Sequence, residues 1–295
     1  MDTLSSTPNS HTLGNFELSV FTDGTYLLDG GAMFGVVPKV MWEKKTPADE
    51  LNRIVLACNS LLIRDGKHTV LVETGIGPKL SEKRRRIFHN TPQLPDNLRA
   101  GGINPAEIDV VINTHLHFDH CGWNTYIENG EVKPTFPNAR YYVQAGEVEH
   151  GHLQHERDRV SYLSENYDPL IASGQMQLLR GDAEIVPGIS VRVYPGHTRD
   201  MQAVLVRSAG KTACYVSDLI PMLSHLDLTW VMGYDLYPLE VIDNRKKFYA
   251  EAVRENWRVV FTHEPHTPMV FLDEDDKGKL VPHPVGEAAP VPSKS

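Results

Sequence analysis

Three imidazoles and a carboxylate fall within six residues, in His115-x-His117-x-Asp119-His120. These side chains are the usual ligands of zinc and similar divalent ions. Positions two apart on a strand end or tight loop point the same way, so His115 and His117 can grip one ion. Asp119 and His120, just beyond, can turn toward a second. The run lacks the apolar periodicity of a stable helix, which leaves it free to form a loop. Any single histidine has a structural reading. Four such residues directly after the short apolar run 110–113, read as a buried strand, favour chemistry.

Three further candidates stand at comparable junctions. His197 follows an apolar strand-like run over residues 189–194, Asp218 follows one over 212–216, and His263 follows one over 259–261. Loops at strand ends cluster on one rim of a sheet, so these lone residues gain weight from their shared position. Together the seven side chains suffice for two ions, one shared carboxylate and open positions for water. Two ions a few ångströms apart share a water and lower its pKa from ~16 toward ~7, making hydroxide available at neutral pH. One ion also polarises a carbonyl or phosphoryl oxygen. Asp119 is the candidate for relaying a proton to the leaving alkoxide. The chemistry indicated is hydrolysis.

The elements that position these residues read as strands and helices in alternation. Residues 16–20 and 25–28 flank Asp23-Gly24, a hairpin signal. Residues 30–38 are glycine-rich and apolar and read as a mobile loop, with Phe34 on a flexible lid. Residues 53–63 and 69–73 read as an antiparallel pair around Asp65-Gly66. Short helices are expected over 79–88 and 95–100, a strand over 141–144, and a polar helical stretch over 145–162. Residues 203–207 complete the strands of the second half, and residues 237–257 read as a helix with Phe248, Ala252 and Val253 as its apolar stripe. The pattern predicts an α+β protein of two mixed sheets packed face to face with helices outside. Its domains are a polar tail over 1–15, a single domain over 16–285 and a disordered tail over 286–295.

Composition excludes several classes. The 295 residues carry 29 Lys and Arg against 38 Asp and Glu, a net charge of −9. That balance argues against nucleic acid, whose phosphates need clustered cations. The one basic run, Lys83-Arg84-Arg85-Arg86, reads as a solvated helix face. Cys58, Cys121 and Cys214 form no CxxC pair and suggest reduced thiols in the cytoplasm. Cys121 reads as a small buried spacer. No apolar run approaches the ~20 residues of a membrane-spanning helix.

The six-residue motif, with His197, Asp218 and His263 following in that order, resembles the metallo-β-lactamase superfamily over residues 16–272. That resemblance implies an αββα sandwich with His115, His117 and His197 on a first ion. It implies Asp119, His120 and His263 on a second, with Asp218 bridging, and zinc as the default metal. A homodimer follows from the resemblance alone. The superfamily's usual Asp after an early strand is here Glu73, expected to orient a ligand histidine. Residues 30–38, 115–122 and 217–222 look like the lactonases that open N-acyl homoserine lactones, of the quorum-quenching YtnP type. Their substrate pocket would draw on Met33, Phe34, Phe118, Trp123, Leu219 and Ile220. The Asp218-Leu219-Ile220 stretch also resembles methyl parathion hydrolase, and a lactonase branch with tyrosine three residues after the bridging Asp has Pro221 here. Phosphotriester or arylester hydrolysis is therefore the alternative, and a metal-binding module without catalysis the reading from another class.

Overall fold

A computed structural model describes residues 10–286. The described residues divide into two compact units, one built from residues 10–26 with Ala57–Asp182, the other from Leu27–Leu56 with residues 183–286.

The first seven-stranded sheet runs, in spatial order, through Ser10–Leu13, Phe16–Asp29, Arg53–Arg64, Thr69–Val72, Val110–Ile112, Arg140–Gln144 and Met176–Leu179. Its early neighbours are antiparallel, whereas Thr69–Val72, Val110–Ile112, Arg140–Gln144 and Met176–Leu179 run parallel. The second sheet runs in chain order through Ala183–Val186, Ile189–Val193, Gln202–Ser208, Lys211–Tyr215, Arg258–Val260, Met269–Glu274 and Leu280–Pro284. One parallel pair, Lys211–Tyr215 with Arg258–Val260, interrupts its antiparallel ladder. Two mixed sheets with helices meet the α+β expectation. The central strands are buried on both faces and read as continuous Val, Leu and Ile runs.

The core of the first unit gathers Leu71, Val111, Tyr141 and Phe136 with Leu94 and Leu98. In the second unit Leu205, Val259 and Phe261 pack with Phe248 and Ala252 of the helix Pro238–Arg254. The helices Glu82–Phe88 and Leu94–Ala100 stand where the sequence placed helices. The basic run is on the exposed side of the first of these, as expected.

Three expectations need correction. Asp23-Gly24 makes no hairpin: Phe16–Asp29 is one strand of 14 residues. Asp23 is instead buried, and its carboxylate is the acceptor for distant backbone groups described below. The mobile loop is two short helices, Gly30–Phe34 and Lys39–Trp42, the first capped by Asp29, whose Oδ1 accepts from Ala32 N at 2.8 Å. Residues 1–9 of the expected polar tail lie outside the described residues, and beyond them Ser10–Leu13 pairs with residues 16–19 and buries Leu13. The helical stretch 145–162 stops at Leu153, where Gln154 takes a left-handed conformation. The expected disordered tail lies outside the described residues apart from Gly286.

Candidate metal centre

Parallel register explains why the candidate ligands of each unit meet. In the first unit Val72 is the partner of Ile112, so the segments that follow both strands leave from the same edge. Glu73 N donates to Ile112 O at 3.0 Å, and Glu73 Oε1 accepts from Thr114 N at 2.8 Å. Glu73 does this with φ at +65°, a left-handed conformation that costs a non-glycine residue of order 1 kcal/mol or more and tends to mark functional sites. The loop after Glu73 is laced to the segment after His120. Thr74 N donates to His120 O at 2.8 Å, and Gly122 N donates to Gly75 O at 2.7 Å. A Cβ on Gly122 would come within 1.8 Å of Ile76 O, so only glycine admits this approach.

His117 precedes the single helical turn Phe118–Cys121, and its carbonyl accepts from His120 N and Cys121 N. The turn carries Asp119 and His120 back over His115, whose ring lies 4.0 Å from that of His120. His115 Nε2 and His117 Nδ1 face each other at 3.1 Å, while His115 Nδ1 meets the Thr114 hydroxyl at 3.0 Å. Glu147 holds the backbone between these two histidines by accepting from Leu116 N at 3.1 Å. His115, His117 and His120 are buried, and Asp119 is the more accessible, with 12% of its side chain exposed. Glu73 Oε1 lies 3.7 Å from His120 Nδ1, too long for a hydrogen bond but close enough to bias the ring. Ligand atoms of Glu73, His115 and His120 all fall within 4.8 Å of one another. Cys121 is fully buried, its thiol donating to the carbonyls of Leu116 and His117, and burial raises its pKa. It is a spacer, not a thiolate.

The second unit repeats the logic. Tyr215 pairs with Val260 in parallel, and Asp218 and His263 each lie three residues beyond. Ile189–Val193, two antiparallel steps away, points in the same direction, so His197 emerges on that edge too. The Asp218 carboxylate gives one oxygen to each imidazole: Oδ2 lies 3.3 Å from His197 Nε2, and Oδ1 lies 3.2 Å from His263 Nε2. His197 turns its other nitrogen to Asp235, with Nδ1 and Oδ1 3.0 Å apart, and Asp235 Oδ2 accepts from Met232 N at 2.8 Å. Ser217, next to Asp218, has φ at +50°, so both units carry a strained non-glycine residue at the strand exit. Arg245, fully buried, supports this loop by donating to the carbonyls of Leu219, His225 and Trp230.

Imidazoles and carboxylates held this way fit a borderline divalent cation. His115 Nδ1 is met by the Thr114 hydroxyl and His197 Nδ1 by Asp235, which leaves each ring's Nε2 aimed the other way, and Asp218 presents two separate oxygens. The expected pocket residues fare differently. Phe118 and Trp123 are half-buried. Phe118 stacks on Phe88 at 5.3 Å, and the Trp123 indole donates to Asp23 at 2.7 Å. Met33, Phe34, Leu219 and Ile220 are buried, the last two within the second unit's core. Phe34 is no lid residue: its ring is stacked on Trp42 and His225, with centroids 4.9 and 4.6 Å away and planes nearly parallel to both. His225 Nε2 meets Met33 O at 2.9 Å, and burial pushes its pKa down to about 3. Pro221 adds no hydroxyl, but its carbonyl accepts from His263 N at 3.0 Å.

Sequence reasoning missed the residues that brace the candidate ligands and the loops around them. Asp23 accepts five hydrogen bonds, from the backbone of Ile76, Gly77, Gln93 and Leu94 and from Trp123. Burial still pushes its carboxyl up to about 6. Lys79 donates to Gly122 O and Thr125 O, and burial lowers its ammonium to about 8. Tyr26 Oη donates to Asp119 Oδ2 at 2.8 Å. Asp235 had one available signal, its place in the loop before a helix on the same edge as His197.

Fold and donor set define a class, and comparison with known proteins agrees with it. The chain belongs to the metallo-β-lactamase superfamily, whose model matches residues 53–280. An N-acyl homoserine lactonase of Bacillus cereus is 27% identical over 176 residues, which are 55% of this chain and 62% of the relative. The chain thus spans under two thirds of the length of that relative. A probable metal-dependent hydrolase from Staphylococcus aureus superposes with a TM-score of 0.85 at 29% identity, over 94% of this chain and all of that one. AidC, a dizinc quorum-quenching lactonase in complex with a product, superposes with a TM-score of 0.79 at 20% identity, over 96% and 98% of the two chains, and this likeness speaks for the fold.

Proposed function

We propose that the protein is a dinuclear metal-dependent hydrolase that opens the lactone ring of N-acyl homoserine lactones. The observation that carries this reading is the Asp218 carboxylate, which offers one oxygen to the side of His197 and the other to the side of His263. A carboxylate divided in this way is the arrangement needed to bridge two cations. In the proposal His115, His117 and His197 hold the first ion, and Asp119, His120 and His263 the second. Zinc suits the imidazole and carboxylate donors. When bound, the ions supply acidified water and Lewis acidity for ester opening.

The chain's own residues then do the rest. Glu73 steadies His120, and Asp235 fixes the tautomer and aim of His197. Asp119, the most accessible of the carboxylates, carries the proton to the leaving alkoxide. Half-buried Phe118, beside it, offers an apolar wall to an acyl chain. The lactonase relative supports the substrate class. The three cysteines are buried thiols outside any disulfide, and no helix among the described residues is long and apolar enough to cross a membrane. Both fit a proposed cytoplasmic setting.

One observation favours a second reading. Position 221 is proline where a lactonase branch has a tyrosine, and with the Asp218-Leu219-Ile220 stretch this keeps phosphotriester or arylester hydrolysis as the alternative. A pH-stat assay of metal-analysed protein separates the two, with short- and long-chain N-acyl homoserine lactones beside a paraoxon-type triester. About two metals per chain, with lactone opening abolished by Asp119→Ala or His120→Ala, is the expected result. Much faster triester turnover would install the second reading, and a protein that binds no metal would defeat both.

A further inference from the structure

The strand Phe16–Asp29 meets the turn Phe118–Cys121 and the segments around it at two points. Asp23 anchors it to residues 76–77, 93–94 and Trp123 through five donors. Three residues on, Tyr26 Oη donates to Asp119 Oδ2 at 2.8 Å. Residues three apart on an unbroken pleat face opposite sides. Gly24, at φ +97°, breaks the pleat between them. A Cβ there would lie 2.8 Å from Thr91 O, so the kink is reserved for glycine. Tyr26 is 2% exposed and its ring meets Phe88 edge-on at 6.3 Å, which fixes the phenol's direction. The oxygen it binds is the one facing His120, with Asp119 Oδ2 3.8 Å from His120 Nε2.

We propose that Tyr26 is a positioning residue for Asp119, holding its carboxylate toward His120 so that the two act together on the second ion. This rests on the dinuclear reading above. A free aspartate rotates about two torsions, whereas a carboxylate tied at one oxygen by a rigid, buried phenol keeps one aim. Loss of such an orienting contact typically lowers metal affinity by about 10–100-fold.

The test is Tyr26→Phe, which keeps the ring and removes the hydroxyl. The affinity of each metal site is measured by chelator competition, alongside the melting temperature of the metal-free protein and kcat and KM for the best substrate. The expected result is one ion held about 10–100-fold more weakly, the other unchanged, the metal-free melting temperature within a few degrees of wild type, and kcat lowered more than KM is raised. Unchanged affinity at both sites overturns the proposal while leaving the dinuclear reading intact. Equal weakening of both ions with a lower metal-free melting temperature also overturns it, because the hydroxyl would then serve only the fold. A wild-type protein that does not take up two ions defeats the dinuclear reading itself, and this proposal with it.

Discussion

Phe34→Ala separates a buried scaffold residue from a lid. Phe34 is fully buried, stacked between Trp42 and His225 and met edge-on by Trp230 at 5.7 Å. Truncating a buried Phe to Ala costs about 3–5 kcal/mol through lost transfer energy and the cavity left behind. Three ring contacts at roughly 0.5–1.5 kcal/mol each belong to that loss and place it in the upper part of the range. The cavity would also open one face of His225, whose pKa of about 3 is due first to burial and then to the charge of Arg245. A histidine with a folded pKa below its unfolded value contributes stability that is complete above the unfolded pKa, ~6.5, and is lost as pH falls toward the folded one. Wild type should therefore lose stability between about pH 6.5 and pH 3, and Phe34→Ala should do so less steeply. Denaturant titrations of both proteins across that range measure the two effects together. A loss under ~1 kcal/mol with an unchanged acid slope and an altered KM would refute the reasoning and restore the lid.

Two further perturbations follow from the second unit. Asp235→Ala frees the Nδ1 side of His197 and should weaken one metal site by about 10–100-fold in a chelator competition; unchanged affinity would leave Asp235 without a role in the centre. Arg245→Met strips the donor from the carbonyls of Leu219, His225 and Trp230. At about 1–3 kcal/mol per orphaned group, the loss in denaturant should reach on the order of 3 kcal/mol or more, and a loss below ~1 kcal/mol would contradict the bonding described.

The ligand candidates were legible because their signal is local. The motif around His115 needs no knowledge of the fold, and His197, Asp218 and His263 each stand a few residues past an apolar run that did become a strand. What failed was local grammar overridden by distant partners. Asp23-Gly24 has the composition of a turn, yet five donors, four of them from residues 76–94, draw the aspartate inward and keep the strand whole. The run of glycines after Asp29 suggested mobility. A side-chain cap and the stacking of Phe34 on residues 42 and 225 order it instead. Tyr26 and Asp235 are a lone phenol and a lone acid in sequence, 93 and 38 residues from the side chains they orient. No spacing rule reaches that far. Glu73 was legible as an unusual residue, but its left-handed backbone was not.

The parallel pairing of Tyr215 with Val260 makes the chain behind Asp218 and His263 a ruler: each candidate ligand is set by three residues of backbone from a fixed point in the ladder. An inserted or deleted residue inside either three-residue span would swing its ligand off the rim, however well the rest of the sheet folds. Chain added past the ligands, or in the turn between Glu274 and Leu280, leaves the count untouched. On the proposed function, the residues that would hold the ions and those left to shape a substrate site occupy different stretches of the same loops. On that same reading, recombining the loop segments beyond the candidate ligands is the route by which this scaffold would trade one ester for another without rebuilding its centre.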